Sequence, residues 1–183
     1  MDISRIVAMR GGYVAGTAIQ PKVKRINFLV NNLGKNVDMA TPQRNYAVFN
    51  MPLVNELVSY REEAVPVIEK KLAEATDEKT ISEGLYVYDR MLDAGVKGID
   101  KTYGTISRFN SSQSPTVQVL LSGIYRKTQV PDAFGPLCRM LAQTSQRPVP
   151  PVFDPSEEIG GAILEYIRNY SSQSLYKQNA DAT

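Results

Sequence analysis

Three segments of this sequence share one spacing of apolar residues, and that spacing constrains the fold more than any other feature. In each segment apolar residues stand at positions 0, +3 and +7, which places them on one face of an α-helix. The sets begin 31 and 38 residues apart and are Val65/Ile68/Leu72, Val96/Ile99/Tyr103 and Phe134/Leu137/Leu141. Two further sets lie 36 residues apart, Ile81/Leu85/Tyr88 and Val117/Leu121/Ile124. A pair of helices therefore recurs along the chain.

A recurring helix pair buries its apolar face only by stacking on its neighbours, as in a solenoid. The sequence contains no sustained alternation of apolar and polar residues, which would indicate β-strands. We therefore predict an all-α fold, a short right-handed solenoid of about three antiparallel helix pairs with an extra C-terminal helix. An unrelated bundle of roughly five or six helices with coincidental spacing is the alternative.

Start and stop signals delimit several of these helices. Asn50, Asp77 and Ser114 are residue types that cap helix N-termini, and Pro115 suits the first helical position after Ser114. Gly95 is the residue type that most often ends a helix in the left-handed conformation. These residues predict helix starts after positions 50, 77 and 114 and a helix end near position 94.

The sequence divides into segments of different character. Glycines, prolines and asparagines interrupt the first 45 residues, where only Ile26 to Leu33 is long enough for a helical turn or two. The predicted segments are a basic, largely irregular or disordered arm (1–45), a HEAT-like repeat domain (46–146), a Pro-rich linker (147–155), an amphipathic helix (156–170) and a disordered tail (171–183).

The C-terminal helix carries one continuous apolar face, which something must cover. That face comprises Ile159, Ala162, Ile163, Tyr166, Ile167 and Tyr170. Gly160 and Gly161 weaken the helix by about 1 kcal/mol each relative to alanine, but they allow a close approach of another helix. The helix is expected to dock on the repeat of its own chain, or alternatively in trans, in a homodimer or a partner groove.

The repeated part of the chain, about residues 50–145, resembles HEAT-like or armadillo-like repeat proteins. The residues that carry the resemblance are Ala64-Val65-Pro66-Val67-Ile68, Leu72, Asp77, Ala94-Gly95-Val96 and Ile99. The units are shorter than the ~40 residues usual for HEAT repeats, and the tetratricopeptide signature is missing. The resemblance implies that the second helix of each pair lines a concave, ligand-binding surface.

Polar residues at the second-helix positions and two tyrosines are the candidate partner-binding residues. Basic side chains there would suit acidic peptide segments or phosphates, and tyrosine is a common interface anchor. The candidates are Lys97, Lys101, Arg108, Arg139, Tyr86 and Tyr125.

The absence of histidine limits the chemistry that this chain can perform. Without histidine, and with Cys138 as the single cysteine, the usual nucleophile–base pairs and zinc ligand sets are missing. We therefore expect no metal, no cofactor and no catalysis. The remaining enzymatic alternative, based on carboxylates and tyrosines, would require a closed pocket.

Charge and hydropathy indicate the partners. Residues 1–50 contain seven basic and two acidic side chains, whereas the remainder carries a net charge of −3. No apolar run approaches the roughly 18 residues of a membrane span, and the lone cysteine fits a cytoplasmic protein.

The expected function is a non-enzymatic protein–protein interaction module for another protein or peptide segment. The alternative is a nucleic-acid or phosphate binder that uses the basic residues and the N-terminal arm.

Overall fold

The computed structural model describes residues 21–146 and 153–170. Within these ranges the regular secondary structure is helical, and the only β-type pairing consists of two isolated bridges. The eight α-helices of these ranges are α1 Lys22–Asn31, α2 Met51–Ser59, α3 Val65–Glu74, α4 Glu78–Asp93, α5 Tyr103–Ile106, α6 Pro115–Thr128, α7 Phe134–Ser145 and α8 Ser156–Asn169. Short 3-10 turns span Arg61–Glu63, Ile99–Thr102, Ser107–Phe109 and Pro131–Ala133. The predicted all-α class is confirmed for these residues. Residues 1–20 of the arm, 147–152 of the linker and the tail 171–183 lie outside the described residues.

The predicted capping residues begin their helices as expected. In each case the side chain accepts a hydrogen bond from a backbone N–H of the first turn, which otherwise has no partner within the helix. The three bonds run from Leu53 N to Asn50 Oδ1 (3.5 Å), from Thr80 N to Asp77 Oδ1 (2.8 Å) and from Val117 N to Ser114 Oγ (3.3 Å).

The helices share one hydrophobic core. Helices α2, α4, α6 and α8 pack side by side in chain order, while α3 contacts α1, α4 and α5, and α7 packs against α8. Three of the largest fully buried side chains are tyrosines, Tyr88, Tyr125 and Tyr166, and each places its hydroxyl on a polar partner. A buried tyrosine needs such a partner, because an unpaired hydroxyl in the core is costly.

The prediction of a largely irregular or disordered arm over residues 1–45 is wrong for α1, which is a full helix. Residues 32–45 are irregular as predicted, but they belong to the folded domain. Helix α1 packs on α2 and α3, and the loop that follows it also enters the core. The apolar residues responsible, spaced as one helical face and its continuation, are Ile26, Leu29, Val30, Leu33 and Val37. Because burial of this face outweighs the glycines and prolines around it, the segment is part of the folded domain.

The loop after α1 is held by a buried carboxylate of α4. Glu83 accepts hydrogen bonds from Gly34 N (2.7 Å, at Oε2) and from Asn50 N (2.8 Å, at Oε1). Gly34 has a φ of +82°, and a Cβ there would lie 2.5 Å from Oγ1 of Thr80. Only glycine therefore fits this turn, which closes the loop against α4.

Helix α8 docks on its own chain, against α6 and α7. Ile159, Ala162 and Tyr166 are buried, and the Tyr166 hydroxyl donates to Val130 O (2.7 Å). Ile167, predicted on the docking face, is instead 53% exposed. The apolar stripe deduced from the sequence is wider than the face that α6 and α7 cover.

Candidate functional site

A pocket of about 430 Å³ opens beside the end of α4, the turn that follows it and the end of α6. Three of its lining residues are apolar and three are lysines. They are Leu92, Val96, Ile99, Lys97, Lys101 and Lys127. We call this site the lysine pocket. Its volume lies in the range of about 300–1,000 Å³ that is typical of ligand sites.

The C-terminal end of α4 builds one wall of the lysine pocket. Gly95 N donates to Leu92 O (3.0 Å) and Val96 N donates to Met91 O (2.9 Å), the two bonds of a Schellman motif. This motif needs a left-handed residue, and Gly95 has a φ of +72°. Gly98, with a φ of +87°, then leads the chain into the 3-10 turn. Two glycines thus fold the backbone tightly around this wall.

A hydrogen bond fixes the turn that contains Lys97. The backbone N–H of Lys97 donates to Oε1 of Glu62, 35 residues earlier in the chain (3.1 Å). This hydrogen bond is the main reason why the pKa of Glu62 lies below its ordinary value. The backbone of Lys97 is therefore anchored, while its side chain remains exposed.

Lys127 forms the opposite side of the pocket and does not contribute free positive charge. Its ammonium group lies 2.7 Å from a carboxylate oxygen of Asp89 and 2.7 Å from one of Asp93. Burial alone would lower the pKa of Lys127, but hydrogen bonds to the two carboxylates raise it above its ordinary value. Lys127 thus stays protonated and is neutralised by α4.

Lys97 and Lys101 are the cations of the pocket that remain available to a ligand. Both side chains are exposed, and neither forms an ion pair within the part of the chain that the structure describes. Asp100 also lines the pocket and reduces the local positive charge. The site therefore offers two ammonium groups beside the partly exposed Leu92, rather than a strongly basic surface.

The two predicted arginines lie elsewhere. Arg108 donates to the carbonyl oxygens of Leu72 (3.5 Å) and Ala73, the last turn of α3, where a cation is favoured by the helix dipole. Arg139 lies exposed on α7, near Tyr103. Neither arginine lines the lysine pocket, so the four predicted basic residues do not share one site.

The two predicted tyrosines also differ from each other. Tyr86 is half-buried and stacks on Phe49, with ring centroids 4.4 Å apart. Tyr125 is completely buried, and its hydroxyl donates to Oδ1 of Asn110 (2.7 Å). The prediction of Tyr125 as a partner contact is wrong, because α6 lies between α4 and α8 and has little free surface there.

Two basic residues of α1 form ion pairs with neighbouring parts of the fold. Arg25 forms two bonds to the carboxylate of Glu56, at 2.5 and 2.7 Å, and Lys22 pairs with Glu63. These pairs join α1 to α2 and to the following 3-10 turn. Lys22 and Arg25 are therefore less available to a ligand than the sequence suggests.

Two further findings concern the described ranges 21–146 and 153–170. No helix there is long and apolar enough to cross a membrane. No group of three or more histidine, cysteine, aspartate or glutamate side chains there is arranged to hold a metal ion.

No protein-family model matches the chain, and neither a curated protein nor a solved structure shows significant similarity to it. Its function must therefore be inferred from its own residues.

Proposed function

We propose that this protein is a non-enzymatic protein–protein interaction module, built as a short HEAT-like solenoid of antiparallel helix pairs. It binds a short extended segment of another protein in the lysine pocket. The observation that carries this proposal is the combination, in one open pocket, of the partly exposed Leu92 with the exposed ammonium groups of Lys97 and Lys101, which have no ion-pair partner among the described residues.

The pattern of long-range hydrogen bonds supports the repeat architecture. In stacked helix pairs each residue meets residues about one repeat away in the sequence, roughly 30–40 positions. Three bonds along the α3 side have separations of 35, 36 and 36 residues, namely Lys97–Glu62, Thr105–Glu69 and Arg108–Leu72. In this proposal, α2, α4, α6 and α8 lie side by side because each belongs to a successive unit of the stack.

The chemistry of the pocket favours a peptide that carries an apolar side chain next to a carboxylate. Leu92, which is partly exposed, would contact the apolar side chain and remove its surface from water, whereas Val96 and Ile99 are almost completely buried and form the floor of the pocket. The ammonium groups of Lys97 and Lys101 would each donate charge-assisted hydrogen bonds to the neighbouring carboxylate. Peptide ligands commonly combine one buried anchor with charged contacts at the rim in this way.

Nucleic acid is the less favoured ligand. Its affinity comes from several simultaneous phosphate contacts with free cations. In the lysine pocket Lys127 is neutralised by two aspartates, and Asp100 would repel a phosphate backbone. Arg108, one of the four predicted basic residues, is bound to the end of α3 and does not add a free cation to this site. These contacts leave too little free positive charge for a polyanion.

Selection of ligands from a random peptide display library tests the proposal. We expect enrichment of peptides with an aspartate, glutamate or terminal carboxylate beside an apolar residue. For a selected peptide, the Lys97→Glu/Lys101→Glu double variant should weaken binding at least about tenfold, since each lost charge-assisted bond costs roughly 1 kcal/mol or more. Titration calorimetry or fluorescence anisotropy measures this change.

The matched control is Lys70→Glu/Lys79→Glu, which reverses two exposed lysines outside the pocket. This variant should bind the same peptide with unchanged affinity. Equal losses in both double variants would indicate a general charge effect and contradict the proposal. Salt-sensitive binding of random-sequence RNA or DNA that Lys97→Glu/Lys101→Glu abolishes would instead favour the nucleic-acid alternative.

A further inference from the structure

The outward side of α8 is exposed and partly apolar. Its opposite side is buried against α6 and α7, but Leu164 is 55% exposed and Ile167 is 53% exposed. Because α8 is the last helix of the row α2, α4, α6 and α8, no other described helix covers this side. Two large aliphatic side chains one turn apart on a terminal helix indicate a contact surface.

Two glycines lie beside Leu164 on the helix, and open space surrounds them. Gly160 and Gly161 belong to the same helix, and a Cβ at either position would have no other heavy atom within 4 Å in the described molecule. The packing of α8 against the rest of the described chain therefore does not require glycine at these positions. Each glycine nevertheless weakens the helix by about 1 kcal/mol relative to alanine. The close approach expected at this glycine pair is not made by α6 or α7.

Opposite charges stand at the two ends of the same stripe. Glu157, Gly161, Leu164 and Arg168 are spaced by four, three and four residues, so they follow one line along α8. Glu157 is exposed, and the Arg168 side chain is 73% exposed, with one ion pair of 3.5 Å among the described residues, to Glu165. Both charges are therefore accessible to another molecule.

We propose that this side of α8 pairs antiparallel with α8 of a second copy of the chain. A two-fold axis between Gly161 and Leu164 would place Leu164 of each copy over Gly161 of the other. The same axis would bring Glu157 of each copy opposite Arg168 of the other, so the stripe is complementary to itself in shape and in charge. A parallel arrangement would oppose like charges and align the helix dipoles, and both effects are unfavourable.

The size of the contact determines the expected strength of the dimer. Helix α8 has 14 residues, which corresponds to a length of about 21 Å. A contact through one helix per copy lies at the lower end of specific interfaces, below about 1,200 Å² in total. We therefore expect a dimer that dissociates on dilution. The inference is independent of the proposed function, because it uses none of the residues of the lysine pocket.

Sedimentation equilibrium of the full chain, from about 1 μM to about 1 mM, tests this proposal over the range of weak protein association. Wild type should pass from monomer to dimer with increasing concentration. Leu164→Glu should lower the association constant at least about tenfold, because it places a charge in the centre of the contact. The control Val23→Glu changes a residue of α1 that is 66% exposed, and it should leave association unchanged.

Charge reversal tests the antiparallel register separately. Glu157→Arg and Arg168→Glu should each weaken the dimer, because each opposes like charges, and the double variant should restore it toward wild type. Circular dichroism checks that every variant keeps its helix content. The proposal is overturned if wild type stays monomeric over the whole concentration range. This holds also if the reason is that residues 171–183 cover the exposed side of α8. A dimer that is insensitive to Leu164→Glu, or double reversal without recovery, also overturns it.

Discussion

Replacement of Leu29 by alanine is expected to lower the free energy of unfolding by about 2–5 kcal/mol, the usual cost of truncating a buried leucine. Leu29 lies in α1, is fully buried, and belongs to the same core as residues of α2 and α3. The substitution removes this apolar surface and leaves a cavity that the neighbouring helices fill only partly. Since small domains are stable by about 5–15 kcal/mol in total, the loss is a large fraction. Urea denaturation followed by circular dichroism measures it.

Val23→Ala is the matched control for Leu29→Ala. Val23 lies on the same helix but is 66% exposed, so its truncation should change stability by no more than about 0.5 kcal/mol. A large loss for Leu29→Ala with none for Val23→Ala would show that α1 unfolds together with the rest of the domain. Equally small effects in both variants would mean that α1 is not part of the cooperative unit.

Features governed by local interactions were predictable from the sequence. Asn50, Asp77 and Ser114 cap the helices that they precede, since a side chain and the third backbone N–H after it always meet in that geometry. Gly95 likewise ends α4 with a positive φ. Such signals depend on a few neighbouring residues, and distant parts of the chain do not alter them.

Helix α1 was missed because its stability comes from elsewhere in the chain. Its apolar positions Ile26, Leu29 and Val30 do follow helical spacing, but the helix is only ten residues long and starts after Pro21. A helix of this length is marginal by itself and forms because partners cover its face. The partners, α2 and α3, could not be assigned to it without knowledge of the packing.

The composition of the lysine pocket was only half predictable. The sequence singled out Lys97 and Lys101 as polar positions of a predicted second helix, but Lys127 carried no signal of its own. Its partner Asp89 is 38 residues away, and the two meet because α4 packs against α6. The same packing buries Tyr125. This residue was predicted to be exposed because it is not part of the apolar set Val117, Leu121 and Ile124. A periodic pattern predicts one buried face, whereas a helix with neighbours on several sides is buried more widely.

Replacement of Glu83 by alanine should be as damaging as the loss of a core leucine. Its carboxylate is the partner of two backbone N–H groups, those of Gly34 and Asn50, and the side chain is fully buried. Alanine would leave both donors without this acceptor, at about 1–3 kcal/mol each, and would free the loop from α4. We expect a loss of about 2–5 kcal/mol, measured by urea denaturation. An unchanged midpoint would contradict the role of Glu83 as the link between the loop and α4.

Glu83→Gln keeps the shape of the side chain and removes the titrating group, although its amide oxygen can accept from only one of Gly34 N and Asn50 N, which lowers stability equally at every pH. Burial raises the pKa of Glu83 above its ordinary value of 4.5, although hydrogen bonds from Gly34 and Asn50 act to lower it. Because the folded state holds this proton more tightly than the unfolded state, the resulting stabilisation is fully present at low pH and is lost as the pH rises through the folded-state pKa. The stability of wild type relative to Glu83→Gln should therefore decrease as the pH rises above the ordinary carboxyl pKa of 4.5, since all other carboxyls are common to both proteins. Urea denaturation at several pH values measures the difference, and an increase with pH would contradict the expected direction.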